Sequence, residues 1–249
     1  MKVQKVRDLT LIDLGQEKTV VVACDSCGGI GMKEYDVLKV SPFVTGKYTA
    51  RVALFEILCS GAEVVCLANT ICNEMEVTGK KIIAGIEEEL EEAGIGKIVL
   101  TGSTEENFAT FATGFGVTAV GLVENKNLKV NNVKQDALLI AIGKPKVGEE
   151  VLKSDKGIIA DYQLIKMLLS LKSVYELVPV GSKGILYEAK QLAENNNMQL
   201  VLHNGIQIDI HKSAGPSTVV VAAMEEALFY QMDLPGSIEV IGMLRHIKR

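Results

Sequence analysis

Two spacings of apolar residues alternate along the chain. Stretches rich in β-branched residues predict strands at Leu9–Leu14, Thr19–Cys24, Glu63–Ala68, Lys97–Leu100 and Phe115–Val123. Between them the spacing lengthens to that of a helix. Thr49–Ser60 sets Ala50, Ala53, Leu54, Ile57 and Leu58 on one face and stops at Gly61; Thr78–Ala93 does the same with Ile82, Ile83, Ile86 and Leu90 before Gly94. A polar, Asn-rich seam, Glu124–Gln135, follows. From Asp136 onward the pattern predicts strands at Ala137–Ile142, Tyr175–Val180, Leu200–Leu202, Ile206–Ile210 and Ile238–Met243, and helices at Asp161–Leu171, Lys183–Glu194 and Ser217–Gln231. Without a clean βαβ repeat, this order predicts an α+β protein of two domains, residues 1–125 and 126–249, rather than one doubly wound sheet.

Composition narrows the function. The 249 residues are 48% hydrophobic and carry 26 Lys+Arg against 31 Asp+Glu, a net charge of −5. That balance fits a folded protein and disfavours nucleic-acid binding. The acidic excess lies in residues 1–130, with 13 basic and 18 acidic groups against 13 and 13 beyond. Solvated helix faces around Glu87–Glu92 or a cation site would each explain it. The start lacks an apolar leader and no apolar run is long enough to span a bilayer, which predicts a cytoplasmic protein without a membrane partner. The five cysteines fit a reducing compartment, and the Cys24–Cys27 pair has no second pair to complete a zinc site.

Standard catalytic motifs are missing. There is no P-loop, HExxH or GxSxG, and His203, His211 and His246 are widely spaced. What remains is acidic or glycine-rich sequence at predicted strand ends: Asp8; Asp25 followed by Cys27-Gly28-Gly29-Ile30-Gly31-Met32-Lys33; Glu56 in the first predicted helix; and Thr101–Phe108, TGSTEENF. Magnesium takes hard oxygen ligands and bridges phosphates through few carboxylates, which Asp8, Asp25, Glu56 and Glu105 or Glu106 can supply. Lys33 can offset phosphate charge, and Gly28, Gly29, Gly31 and Gly102 can bring backbone N–H groups close to it. Plainer roles stand beside these: Asp25 as a turn residue, Glu56 at a half-solvated helix edge, and Ser103 or Thr104 as an N-cap with Glu106 completing a capping box. Ser213–Thr218, read as a helix start with Pro216 near its first turn, suits either an anion or an ordinary cap.

The order of these motifs resembles the aminoimidazole ribonucleotide synthetase superfamily, which also includes thiamine-monophosphate kinase and selenophosphate synthetase. There a strand ends in Asp and a glycine turn with Lys; a helix with a central Asn-Asp and a terminal Gly-Ala-x-Pro follows, then a strand. Here Asp25, Lys33, Phe55-Glu56 and Gly61-Ala62 stand in that order. Thr101-Gly102-Ser103-Thr104 resembles the family's Gly-Gly-[Asp/Glu]-Thr with Ser103 in the acidic place, and Asp8 resembles the second acid of the kinase-type Gly-Asp-Asp. Val180–Ile185 resembles an Asp-Gly-Leu turn with Lys183 replacing the Asp. The likeness covers about the first half of the chain. It implies ATP and Mg2+ as cofactors, with Asp8, Asp25, Glu56, Glu105 and Glu106 toward the metal. Lys33 and the Gly102–Asn107 stretch, including Ser103, Thr104 and Asn107, would lie toward the phosphates, and Asp25, Glu56 and Lys33 would be the catalytic set. It further implies a homodimer whose N-terminal sheets join into a barrel and a C-terminal α+β domain closing the cleft. The length, a C-terminus Leu244–Arg249 without Cys, and the incomplete kinase signature make the chain most similar to the branch holding α-ribazole kinase. The implied activity is phosphorylation of a nucleoside 5′-hydroxyl in cobalamin lower-ligand salvage; an acyl-phosphate ligase or dehydratase and a non-catalytic nucleotide binder are the alternatives.

Overall fold

A computed structural model describes residues 1–155, 157–232 and 234–247; Lys248 and Arg249 of the C-terminal segment lie outside them. The architecture is α+β, and the chain forms two compact units, Met1–Leu58 with Ala62–Asn125, and Cys59–Gly61 with Lys126–Arg249. No helix among the described residues is long and apolar enough to cross a membrane.

The first unit runs β1 (Lys2–Val6), β2 (Leu9–Gly15), β3 (Lys18–Gly28), short β4 (Ile30–Gly31) and β5 (Leu38–Lys39), α1 (Pro42–Cys59), β6 (Glu63–Ile71), α2 (Lys80–Glu92), β7 (Val99–Thr104) and β8 (Gly114–Glu124). Six strands form one open sheet in the order β1-β2-β3-β8-β6-β7. Within this sheet only β6 and β7 pair in parallel; β4 and β5 form a separate short parallel pair. The first helix starts at Pro42, earlier than its apolar spacing predicts, because proline suits a first turn and Val44 N donates to the Ser41 carbonyl at 2.8 Å. Strand alternation sorts the faces. Val21, Ala23, Val117 and Ala119 are buried, and a side chain at Gly121 would strike Ile57 of α1, so this is the face under the helix. The opposite face carries Ile12, Val20, Val22, Val120 and Leu122, none of them buried, with exposed Val99 at its edge. The helices touch through glycine: a Cβ at Gly46 would lie well under 3.0 Å from the Ile82 carbonyl, and one at Gly85 equally close to that of Phe43.

The second unit contains β9 (Ala137–Ile142), α3 (Glu149–Leu152), α4 (Tyr162–Ser170), β10 (Val174–Pro179), α5 (Ile185–Asn195), β11 (Met198–Leu202), β12 (Val220–Met224), α6 (Glu226–Phe229) and β13 (Ile238–His246). Its antiparallel sheet has the order β10-β12-β9-β13-β11. Two expectations fail here. The helix expected over Ser217–Gln231 survives only as the single turn Glu226–Phe229: Val220–Met224 is a strand between β10 and β9, every residue of it buried. With both faces covered, such a strand has no alternation, and a short apolar run then looks helical. Pro216 therefore sits in a loop after a cis Gly215–Pro216 bond, and the helix start proposed for an anion does not exist. Ile206–Ile210 is no strand either. Its alternate isoleucines pack on the core, but Ile210 O accepts from Leu186 N of α5 and Ile208 N donates to the Glu239 side chain of β13, so these backbone groups are not spent on a strand ladder.

Candidate functional site

Three loops meet where β3, β6 and β7 end and β8 begins, and buried polar groups lock them together. The strand carrying Asp25 does not end there; it runs on to Gly28, paired with Gly114 of β8. Gly29 then turns with a φ of 72° and donates to the Thr113 carbonyl at 2.8 Å. Asp36, only 5% exposed, accepts from Lys33 N, Thr113 N and Thr113 Oγ1, each at 2.7 Å. Gly31 is required because a Cβ there would strike both Thr113 and Asp36. Asn73, fully buried, donates to Thr110 Oγ1 and the Ala112 carbonyl and accepts from Gly114 N.

Burial alone would push the Asp36 carboxyl up; its bonds from Thr113 and Lys33, with the charge of Lys39, outweigh that and hold it below the ordinary value. Its stabilising effect is therefore complete above the unfolded carboxyl's pKa and fades as pH falls through the lower folded one. Asp36→Ala leaves buried donors without an acceptor and is expected to cost about 3 kcal/mol near neutral pH. Urea unfolding reads this directly, with the gap to wild type narrowing in acid.

Burial pushes Asp25 up to about 6, opposed by the Ser26 backbone N–H and reinforced by the neighbouring charge of Asp8. Asp25 and Asp8 are thus electrostatic neighbours. Lys33 Nζ meets Glu74 Oε2 at 2.5 Å, and Glu74 also accepts from Thr78 Oγ1. Glu56 lies half-buried on α1. The Thr101–Thr104 segment is not a loop but most of β7, and a side chain at Gly102 would strike the buried Asn69. Glu105 accepts from the backbone of Asn107 and Phe108. Glu106 ties Met75 N to Thr104 Oγ1, so it closes a loop rather than a capping box. Among the described residues no three His, Cys, Asp or Glu side chains converge, so the acidic candidates do not form a closed cluster. None of the five cysteines is in a disulfide, and burial pushes the Cys27 thiol up, away from reactivity. The residues that sequence reasoning missed, Asp36, Asn73, Glu74 and Thr113, are isolated polar positions in loops. Only Asp36, three residues after Lys33, sits at a turn-forming spacing.

Residues 6–123 match the family described as AIR synthase related protein, N-terminal domain. The matched stretch runs from the last residue of β1 almost to the end of β8, so the braced loops and Asp25 lie within it. No curated protein matches the sequence. Solved structures of similar fold include thiamine monophosphate kinase from Aquifex aeolicus, with a TM-score of 0.66 and 14% identity over 98% of this chain and 90% of that one. AaThiL complexed with AMPPCP and TMP gives 0.67 and 11% over 97% and 85%. Phosphoribosylformylglycinamidine synthase II from Thermotoga maritima gives 0.62 and 10% over 96% of this chain but only 37% of its own length. At such identities the likeness establishes the fold.

Proposed function

We propose that the protein is an ATP- and Mg2+-dependent small-molecule kinase whose acceptor is the 5′-hydroxyl of a nucleoside, α-ribazole by the sequence resemblance. The observation that carries the reading is the Asp25–Asp8 pair within the stretch that matches the AIR synthase related domain. Burial and a neighbouring carboxylate both disfavour charge on Asp25, so a divalent cation would be stabilised there. The donor set fits Mg2+, which uses one or two protein carboxylates beside phosphate oxygens. Support for the nucleotide comes from the relatives of the same fold, one held with AMPPCP and TMP.

Bound Mg2+-ATP would supply the γ-phosphoryl group and neutralise its developing charge. Asp25 and Asp8 would hold the metal, and Glu56 of α1 would act from outside that pair. Lys33, held by Glu74 until an anion competes for it, would offset phosphate charge. Gly28 and Gly29 leave the turn without side chains where a phosphate must approach. The loop of Glu105, Glu106 and Asn107 is tied to the same end of the sheet, whereas Gly102, Ser103 and Thr104 would act from within β7. Residues 1–125 would bind nucleotide and dimerise, and residues 126–249 would close over it. The half-exposed apolar sheet face supports a second copy as the cover in a homodimer.

Incubation with Mg2+-ATP and candidate nucleosides, with product masses read out, tests this. ADP with a phosphorylated nucleoside is the expected result. ADP and free phosphate with a cyclised or dehydrated product would favour the synthase-like chemistry, and nucleotide binding without turnover across the panel would reject an enzyme.

A further inference from the structure

The sequence shows no aromatic box, because its 6 Tyr and 6 Phe are scattered. The fold gathers some of them. Tyr35 and Phe111, far apart in the chain, stand with ring centroids 6.0 Å apart and planes tilted by 41°. Both are exposed, at 65% and 56%, and Phe108, three residues before Phe111, is exposed at 77%. These rings are not core packing, and exposed aromatics gathered in one place mark a recognition surface.

Their mounting is rigid. Tyr35 N donates to the Phe111 carbonyl at 2.8 Å, and on either side of this contact Asp36 and Gly29 clamp the same two loops through Thr113. A loop pair already fixed by buried hydrogen bonds gains nothing from presenting aromatic faces to water. It does gain a surface whose ordering cost is met before a ligand arrives. Lys33 lies two residues before Tyr35 with its ammonium paired to Glu74, and the Lys39 ammonium donates to the Lys33 and Glu34 carbonyls of the same loop. Charges so placed suit a flat, polar-edged ring better than an apolar helix.

We propose that Tyr35 and Phe111 form a stacking platform for a planar heteroaromatic ring, the base of a nucleoside or nucleotide, beside Lys33. Naming the ring a nucleoside's rests on the kinase reading; the platform itself does not. Two sources share this chemistry, the adenine of ATP and the base of the acceptor.

The chain has no Trp, so Tyr35→Trp installs a single reporter in contact with Phe111. The full-length variant, shown to melt like wild type, is titrated separately with ATP, adenosine, a benzimidazole riboside and tripolyphosphate. Ring-bearing compounds should quench saturably and tripolyphosphate should not. Adding Phe111→Leu should weaken that binding about tenfold. Quenching by adenosine and ATP assigns the platform to the nucleotide, and quenching by the benzimidazole riboside alone assigns it to the acceptor. No quenching by any ring compound, or undiminished affinity after Phe111→Leu, overturns the proposal. So does emission that changes with protein concentration alone, since a second copy would then cover the rings. Should the Trp variant misfold, the thermal shift that adenosine or the riboside gives wild type must disappear in Phe111→Leu. Phosphorylated product without quenching would sink the platform alone; quenching without product would sink the kinase reading alone.

Discussion

At pH 8, Asp25→Asn is expected to melt at a higher temperature than the wild-type protein while forming no ADP. The stability gain follows from linkage. An isolated carboxyl titrates near 3.8, and in the fold this one rises to about 6 through burial, with Asp8 adding repulsion. Between those values the folded chain holds the proton more tightly than the unfolded chain, so folding is weakened as pH rises through the window. Above 6 the full penalty applies, about 1–3 kcal/mol after allowance for the solvent reaching a half-buried group. Asparagine keeps the shape and removes the charge. The melting gap should therefore be largest at pH 8 and shrink toward pH 4. Saturating Mg2+ should stabilise wild type and leave the variant unmoved, because ligand stabilises only a state that binds it. ADP formation should fall at least about 100-fold, as it should in Glu56→Ala. Undiminished turnover in Asp25→Asn would remove this carboxylate from the site.

Substitution of Gly46 or Gly85 should damage the first unit more than any change at its surface. The two helices approach so closely that a Cβ on either glycine would meet a carbonyl of the other helix, Ile82 or Phe43. These are backbone atoms and cannot rotate aside. Each glycine lies within its helix, where alanine would otherwise gain up to about 1 kcal/mol in propensity. Overpacking is expected to win: Gly85→Ala should lose about 3 kcal/mol and Gly85→Val should prevent the unit from folding. Denaturant unfolding followed by circular dichroism measures both. A stabilised Gly85→Ala would mean that the helices can separate freely. The buried Arg51–Glu89 pair, at 3.6 Å, bridges the same two helices, as do the bonds of Lys47 to Glu89 and Glu92. Part of the Glu87–Glu92 run is thus structural rather than merely solvated.

The sequence made most of the sheet and helix order visible, since alternation and helical spacing are direct records of which face is covered. Phe115–Val123 and the helix from Tyr162, capped by Asp161, are legible for that reason. Ala137–Ile142 and Val220–Met224 are buried at every residue and leave no polar rhythm, so only the extent of the apolar run separates strand from helix; the first is closed off by Asp136 and Gly143, whereas the second runs on into the helical Glu226–Phe229. The edge strand Lys2–Val6 escapes for the opposite reason: four of its five residues are exposed, so no apolar signal marks it. The site divides in the same way. Asp25, Lys33 and the glycines stand out as candidates through type and order along the chain. Asp36, Asn73 and Thr113 act through contacts between distant loops, and Tyr35 with Phe111 likewise, so no local spacing reveals them. Thr101–Thr104 misled because Gly and Ser suggest a loop, while the fold uses that glycine to make room for Asn69 inside the sheet.

The placing of β8 has a consequence for synthesis. It is the last strand of its sheet to leave the ribosome, yet it fills the middle, with β3 on one side and β6 on the other. Until residues 114–124 emerge, the β1–β3 meander and the β6–α2–β7 crossover are two separate halves, each with a bare inner edge. Their pairing must wait for a segment from far along the chain, which slows folding and leaves those edges open to other nascent chains. Arrival of β8 satisfies both edges in one step and brings Thr113 to Asp36, so the sheet and the loop cluster are completed by the same event.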